Sequence, residues 1–195
     1  DIIVIEACEF RDTFLHLAND ISVINNIDND HLDYFGTIEN SIRSFRTFAE
    51  HSSGPVIVNG CDANSMKAVE GLSKEIITFG WDDSCDYWPA DVRSLGGAKS
   101  AYTLMRGGEA LAEVTLSIPG RHNILNSLAC AGACICAGAD PKVVAEKIGH
   151  FPGAGRRFEI LGEVGGVTIA DDYAHHPAEV KATLKAAKAM DFGEV

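Results

Sequence analysis

A chain of 195 residues, 46% hydrophobic and 23% charged, has the make-up of a folded globular protein and not of a disordered or fibrous one. Sixteen Lys and Arg against 28 Asp and Glu give a net charge of −12, which argues against nucleic acid as a partner, because a phosphate backbone rewards clustered cations. No stretch approaches about 18 uninterrupted apolar residues, so no membrane association is expected.

The chain opens inside a strand pattern, Asp1 to Ala7 (DIIVIEA), a continuous apolar run of the kind buried in parallel sheets. With neither Met nor any lead-in, it is expected to be a piece of something longer. Glu6 interrupts the run near its end, Glu9-Phe10-Arg11-Asp12 follows on the loop, and two readings of a carboxylate there stay open. It is a helix cap or ion-pair partner, or a group at the ligand edge of the sheet. A second buried strand is predicted over Ile21–Ile24. The stretch after it, Asn25 to Gly36 (NNIDNDHLDYFG), sets Asp28, Asp30, His31 and Asp33 on a strand-to-helix connection, where α/β enzymes keep polar chemistry. Three carboxylates around one imidazole suit a hard divalent cation. They also suit a solvated acidic loop in which Asp28 or Asn29 caps the next helix.

Helix Thr37–Glu50 carries Ile38, Ile42, Phe45 and Phe48–Ala49 at helical spacing, a core-facing stripe. Pro55–Asn59 reads as a short buried strand, followed by a helix near Asn64–Leu72 and a strand Glu75–Phe79. This alternation predicts a doubly wound α/β layer. From residue 86 to 118 the pattern turns to alternation around Gly107-Gly108, which predicts an antiparallel flank. Gly96-Gly97-Ala98-Lys99-Ser100 faintly resembles a phosphate-binding loop, but the glycine spacing is wrong and a strand follows it instead of a helix.

Six cysteines (8, 61, 85, 130, 134, 136) form no CxxC pair and are expected to be reduced structural thiols, as in a cytoplasmic protein. Pro119–Asn123 opens a small-residue helix predicted from about Ile124 to Gly138. Asn123 is either its cap or, with Asn126 three residues on, half of a pair of amides suited to a nucleobase edge. Asp140-Pro141 starts another short helix, to about His150. Phe151–Gly155 is the best linker in the chain. A hairpin turning at Gly165-Gly166, a strand Val167–Ala170 and a helix Ala178–Met190 follow it. Between the last two lies a second polar loop, Asp171-Asp172-Tyr173-Ala174-His175-His176-Pro177. Adjacent histidines seldom point at one ion, so one of His175 and His176 is expected to face the core or cap the helix.

Five segments stand in one order: Glu6-Ala-Cys-Glu9, Asn26 to Asp33, Gly120 to Asn126, Gly155 to Glu159, and Asp171 to Pro177. Together they resemble the Mur ligases of peptidoglycan assembly, over essentially the whole chain. The opening EACE and the closing DDYAHHP look most like the members that add the first amino acid, L-alanine, to UDP-N-acetylmuramate. The resemblance implies an α/β fold: a Mur-ligase central, ATP-binding domain over residues 1–152, mostly parallel sheet with helices and an antiparallel flank. The beginning of a Rossmann-like carboxy-terminal domain over 153–195 follows it. The GKT phosphate loop and the domain that holds the uridine nucleotide lie outside the sequence, so the chain by itself is not expected to turn over.

In such ligases ATP phosphorylates the muramyl carboxylate, the alanine amine attacks the acyl phosphate, and phosphate leaves; alignment and charge neutralisation do most of the work. The resemblance makes Glu6 a Mg2+ (or Mn2+) ligand at the ATP phosphates and His31 the ligand of a second ion near the acceptor carboxylate. It makes His122, Asn123 and Asn126 the adenine pocket, Arg157 the arginine that approaches the γ-phosphate, and Asp172 a ribose contact. Tyr173 and His175 fall where alanine is expected. Implied partners are ATP, UDP-N-acetylmuramate and L-alanine, and unpaired sheet edges make a homodimer an expectation. Two alternatives stay open: a sister ligase of the murein-tripeptide or folylpolyglutamate type, and a non-catalytic nucleotide-binding or scaffold module.

Overall fold

The computed structural model describes residues 2–190 and 195. A six-stranded sheet runs in the order β1 (Ser22–Ile24), β2 (Val56–Asn59), β3 (Ile76–Phe79), β4 (Tyr87–Gly96), β5 (Lys99–Arg106), β6 (Glu109–Leu116). The first four are parallel neighbours and the last three antiparallel, so the two strand patterns in the sequence become two halves of one sheet. Strands β3 and β4 pair only through Phe79 and Tyr87, so most of β4 runs on past the parallel half.

The alternation within β2 decides the layering. Ile57 joins one core with Tyr87, Tyr102, Leu104, Leu128 and Ala131, whereas Val56 and Val58 join another with Phe14, Ile24, Phe48, Ala49 and Ala68. Successive side chains of a strand point to opposite faces, so a run buried throughout needs cover on both sides. Helix α4 (Arg121–Cys136) covers one face, and α2 (Ile38–His51) with α3 (Ala63–Val69) covers the other. The small residues of α4 allow close approach: a methyl group on Gly132 would stand 3.5 Å from Ile57 and 3.6 Å from the Tyr87 ring. Thr37 caps α2 by accepting from the Asn40 N–H, and Asp140 caps α5 (Pro141–Gly149) by accepting from the N–H groups of Lys142 and Val143.

A second sheet holds β7 (Glu159–Val164) and β8 (Val167–Asp171), an antiparallel hairpin turning at Gly165-Gly166, and α6 (Pro177–Lys188) follows it. Helix α6 reaches the first layer through Ala186, whose methyl lies 3.3 Å from where a side chain on Gly120 would begin.

Two expectations are corrected. The predicted strand Asp1–Ala7 does not form over residues 2–7, and Asp1 itself lies outside the described residues. Ile2, Ile3, Val4 and Ile5 are 59–92% exposed, because the run finds neither a ladder partner nor a covering helix among the described residues. Helix α4 begins at Arg121 with Gly120 as its cap, three residues earlier than predicted, so Asn123 lies in the first turn and is not the cap. Gly120 has φ +99°, a conformation that favours glycine. A short helix, α1 (Leu32–Phe35), also sits inside the acidic loop.

Candidate functional site

The chain becomes anchored at Cys8. Its carbonyl accepts from the Phe14 N–H at 3.0 Å and the Thr13 hydroxyl at 2.7 Å, closing a 3-10 turn (Phe10–His16) that buries Phe14 in the core. Arg11 and Asp12 take left-handed backbone conformations to make the turn. Glu9, at the head of the turn, is thereby held beside the acidic loop, whereas Glu6 lies outside the anchor and is exposed. Asp12 fastens the two together by accepting from the Tyr34 hydroxyl at 2.7 Å and from Ser44.

His31 also adopts a left-handed conformation, with φ +51°, at the start of α1. Its Nε2 lies 3.9 Å from Glu9 Oε1 and 3.7 Å from Asp30 Oδ2, and the Phe10 ring packs against the imidazole at 4.9 Å between centroids. Glu9, Asp30 and His31 each present one ligand atom, and the three atoms lie within 4.8 Å of one another. Two carboxylates and an imidazole in that arrangement fit a divalent cation such as Mg2+ or Mn2+. Glu6, Asp28 and Asp33 do not join the group. Asp28 is turned to the N–H of Asn29 at 2.7 Å, and Asp33 is exposed in the first turn of α1. From below, Asp62 steadies the loop. Its Oδ1 accepts from Ile27 N–H at 3.2 Å and from Ser65 N–H at 2.8 Å, so the cap of α3 is also the tether of the acidic loop.

The closing polar loop comes to the same place. His176 Nε2 lies 3.4 Å from Asp30 Oδ1, and His176 is the N-cap residue of α6, as one of the two histidines was expected to be. Its neighbour His175 turns back on its own loop, with Nδ1 2.9 Å from the Tyr173 carbonyl and its ring 5.1 Å from the Tyr173 ring. Glu179 accepts from the backbone N–H groups of His175 and His176 and lies 3.8 Å from Arg157. Burial pulls its pKa up, but those N–H bonds and the nearby cations prevail and hold it below the usual carboxylate value.

Asp172 organises the loop by accepting from Phe158 N–H and Ala174 N–H, both at 2.8 Å. Desolvation pushes the His122 imidazole below its ordinary pKa; Asp172 opposes this and Arg157 adds to it, so three residues from either side of the linker share one electrostatic environment. Beside His122, Asn126 donates to Asn123 Oδ1 at 3.2 Å, and Asn123 donates to the Pro119 carbonyl at 2.7 Å. The pair keeps the Asn126 carbonyl and one N–H on each amide for another partner. His122, Asn123, Asn126, Arg157 and Asp172 therefore gather at the start of α4 and the hairpin, while His31 stands with Glu9, Asp30 and His176.

Glu9 and His176 are the residues whose place in this cluster sequence reasoning did not give. For Glu9 the signal was its place in EACE, at the head of a turn. For His176 no local signal exists, because its partner lies in a distant segment.

The architecture is a layered α/β domain with polar loops at its strand ends, followed past a linker by a hairpin-and-helix unit. Residues 1–134 match the Mur ligase middle domain and residues 156–195 match the Mur ligase, glutamate ligase domain. The chain belongs to the Mur ligase family. It is 44% identical over 187 residues to a UDP-N-acetylmuramate--L-alanine ligase of Caldanaerobacter subterraneus subsp. tengcongensis, covering 95% of this chain and 41% of the relative. A crystal structure of UDP-N-acetylmuramate-alanine ligase from Thermotoga maritima superposes with a TM-score of 0.77 at 27% identity, covering 91% of this chain and 40% of that one. A MurF ligase from Thermotoga maritima, solved in complex with ADP, shares the fold, with a TM-score of 0.74 at 20% identity, covering 89% of this chain and 41% of that one. The chain thus spans about two fifths of the length of the relatives it matches. Among the described residues, no helix is long and apolar enough to cross a membrane.

Proposed function

We propose that this chain forms part of an ATP-dependent ligase that joins L-alanine to UDP-N-acetylmuramate in the synthesis of peptidoglycan precursors. The observation that carries the reading is the 44% identity, over 95% of the chain, to a relative of that name. The proposed division is a central ATP-binding domain over 1–152 and the beginning of the carboxy-terminal domain over 153–195.

In this reading the muramate carboxylate accepts the γ-phosphoryl group of ATP. The alanine amine attacks the resulting acyl phosphate, a tetrahedral intermediate forms, and its collapse releases phosphate and leaves the amide. Little covalent help is required, so the residues act by position and charge. His31, with Glu9 and Asp30 beside it, would hold a divalent cation at the acceptor carboxylate, and Glu6 would serve a second at the ATP phosphates. When bound, such cations neutralise the phosphoryl oxygens and polarise the group being attacked. Asn123 and Asn126 offer their free amide edges to adenine, with His122 against the same pocket, and Asp172 reaches the ribose. The planar guanidinium of Arg157 suits a transferring phosphoryl group better than an ammonium. Tyr173 and His175 face the incoming alanine. Arg157 and Asp172 lie past the linker, so closure of the second domain completes the site and keeps water from the acyl phosphate.

The test uses the full-length protein that contains this sequence. Phosphate release is measured with ATP, Mg2+ and UDP-N-acetylmuramate, with each amino acid supplied in turn. The expected result is turnover with L-alanine and little with charged or D-amino acids. Preference for a charged amino acid, or for a peptide acceptor, overturns the assignment.

A further inference from the structure

Cys61 and Cys85 have no part in the site just described, yet the fold holds them together. Cys61 is exposed on the turn between β2 and α3, and Cys85 is buried at 8% exposure in the loop between β3 and β4. A methyl group on Gly80 would overlap the Cys85 sulfur and stand 2.9 Å from the Cys61 sulfur. One on Gly60 would stand 2.7 Å from the Cys85 sulfur. Neither glycine has a left-handed backbone, so conformation does not demand glycine at either position; room for sulfur does. Two sulfurs flanking a single point, 2.4 Å and 2.9 Å from it, lie within roughly 5 Å of each other and so share one space between the two loops.

We propose that Cys61 and Cys85 are a redox modification site that closes to an intramolecular disulfide. Cys61, the exposed residue of the pair, is the one that an oxidant meets first. A peroxide oxidises it to the sulfenic acid and leaves as water or alcohol; the Cys85 sulfur then attacks the Cys61 sulfur, and its proton and the departing hydroxyl leave as water. Two electrons pass to the peroxide, and two thiols become one disulfide. The bond ties the turn carrying Asp62, and through it the tether of the acidic loop at Ile27, to the loop that follows β3.

Cys130 and Cys134 supply an internal contrast. They are also near neighbours, one turn apart on α4, where an intact helix holds the two Cβ atoms about 6 Å apart, beyond the span of a disulfide. Oxidation is therefore expected to be selective.

The experiment treats the full-length protein with hydrogen peroxide, blocks remaining thiols with an alkylating agent, and maps the digested peptides by mass spectrometry. The expected product is a peptide joining Cys61 to Cys85, reversed by dithiothreitol, with Cys130 and Cys134 alkylated. Cys61→Ser, a change at an exposed position, should abolish the cross-link and leave Cys85 alkylated after unfolding. The proposal is overturned if Cys61 and Cys85 both stay free, if Cys61 is bridged to another molecule, or if the cross-link falls between Cys130 and Cys134.

Discussion

His176 and Asp30, from opposite ends of the chain, face each other at 3.4 Å, and Asp30 also faces His31 at 3.7 Å. The carboxylate thus stands between the imidazoles of two polar loops. Both partners of the His176 pair are partly exposed, so with a protonated imidazole their coupling is worth at most about 1 kcal/mol and weakens with salt. A double-mutant cycle with Asp30→Asn and His176→Ala, followed by chemical denaturation at low and high salt, should return a coupling of that size that shrinks as salt rises. Strict additivity at both salt concentrations would show that the two loops meet without interacting.

In the full-length protein, the proposed metal roles predict that Glu6→Ala or His31→Ala each costs on the order of 3 kcal/mol in transition-state stabilisation, read as a loss of kcat/KM of about a hundredfold or more. Arg157→Lys should also lower kcat, since a point charge does not reproduce a planar fork. Rates near wild type for both alanine variants would remove the metal roles.

Asp62 caps α3 and holds the N–H of Ile27, whereas Asp140 caps α5 alone. Each alanine substitution should cost about 1–2 kcal/mol of stability in denaturant titrations. Only Asp62→Ala should also raise the Mg2+ concentration needed for half-maximal activity. An equal effect of the two on Mg2+ would mean that the tether does not matter to the acidic loop.

His122 is held below its ordinary value of 6.5 in the folded protein, chiefly by desolvation. The unfolded chain therefore binds this proton at a higher pH than the folded one does. Its contribution to stability is present above 6.5 and is lost as pH falls from there through the lowered folded value. Thermal melts should show wild type losing ground to His122→Gln as pH drops from about 7 to 5. Parallel pH profiles for the two proteins would place the titration elsewhere.

Much of this architecture is legible because local rules agree with the final packing. Strand β2 is announced by an unbroken apolar run, α2 by its stripe and its Thr37 cap, and the hairpins by paired glycines. Residues 2–7 obey the same strand rule and fail, because a rule about burial says nothing about whether a neighbour is there to bury against. The site was legible in its residue types, and less so in its grouping. Asp28, Asp30, Asp33 and His31 are close in sequence, but only Asp30 and His31 converge, since their orientation depends on a left-handed His31 that no glycine signals. Glu9 takes its place beside them through a turn built by Arg11 and Asp12 in equally unsignalled conformations.

Strand β4 touches β3 at a single residue pair and carries the Gly96-Gly97 tip beyond the parallel strands, into open space where added side chains would meet nothing within 4 Å. That overhang is a natural splice point. An affinity handle or a fluorophore placed there adds to a stretch that both cores already leave alone, so the protein can be immobilised or followed in a cell with its packing undisturbed.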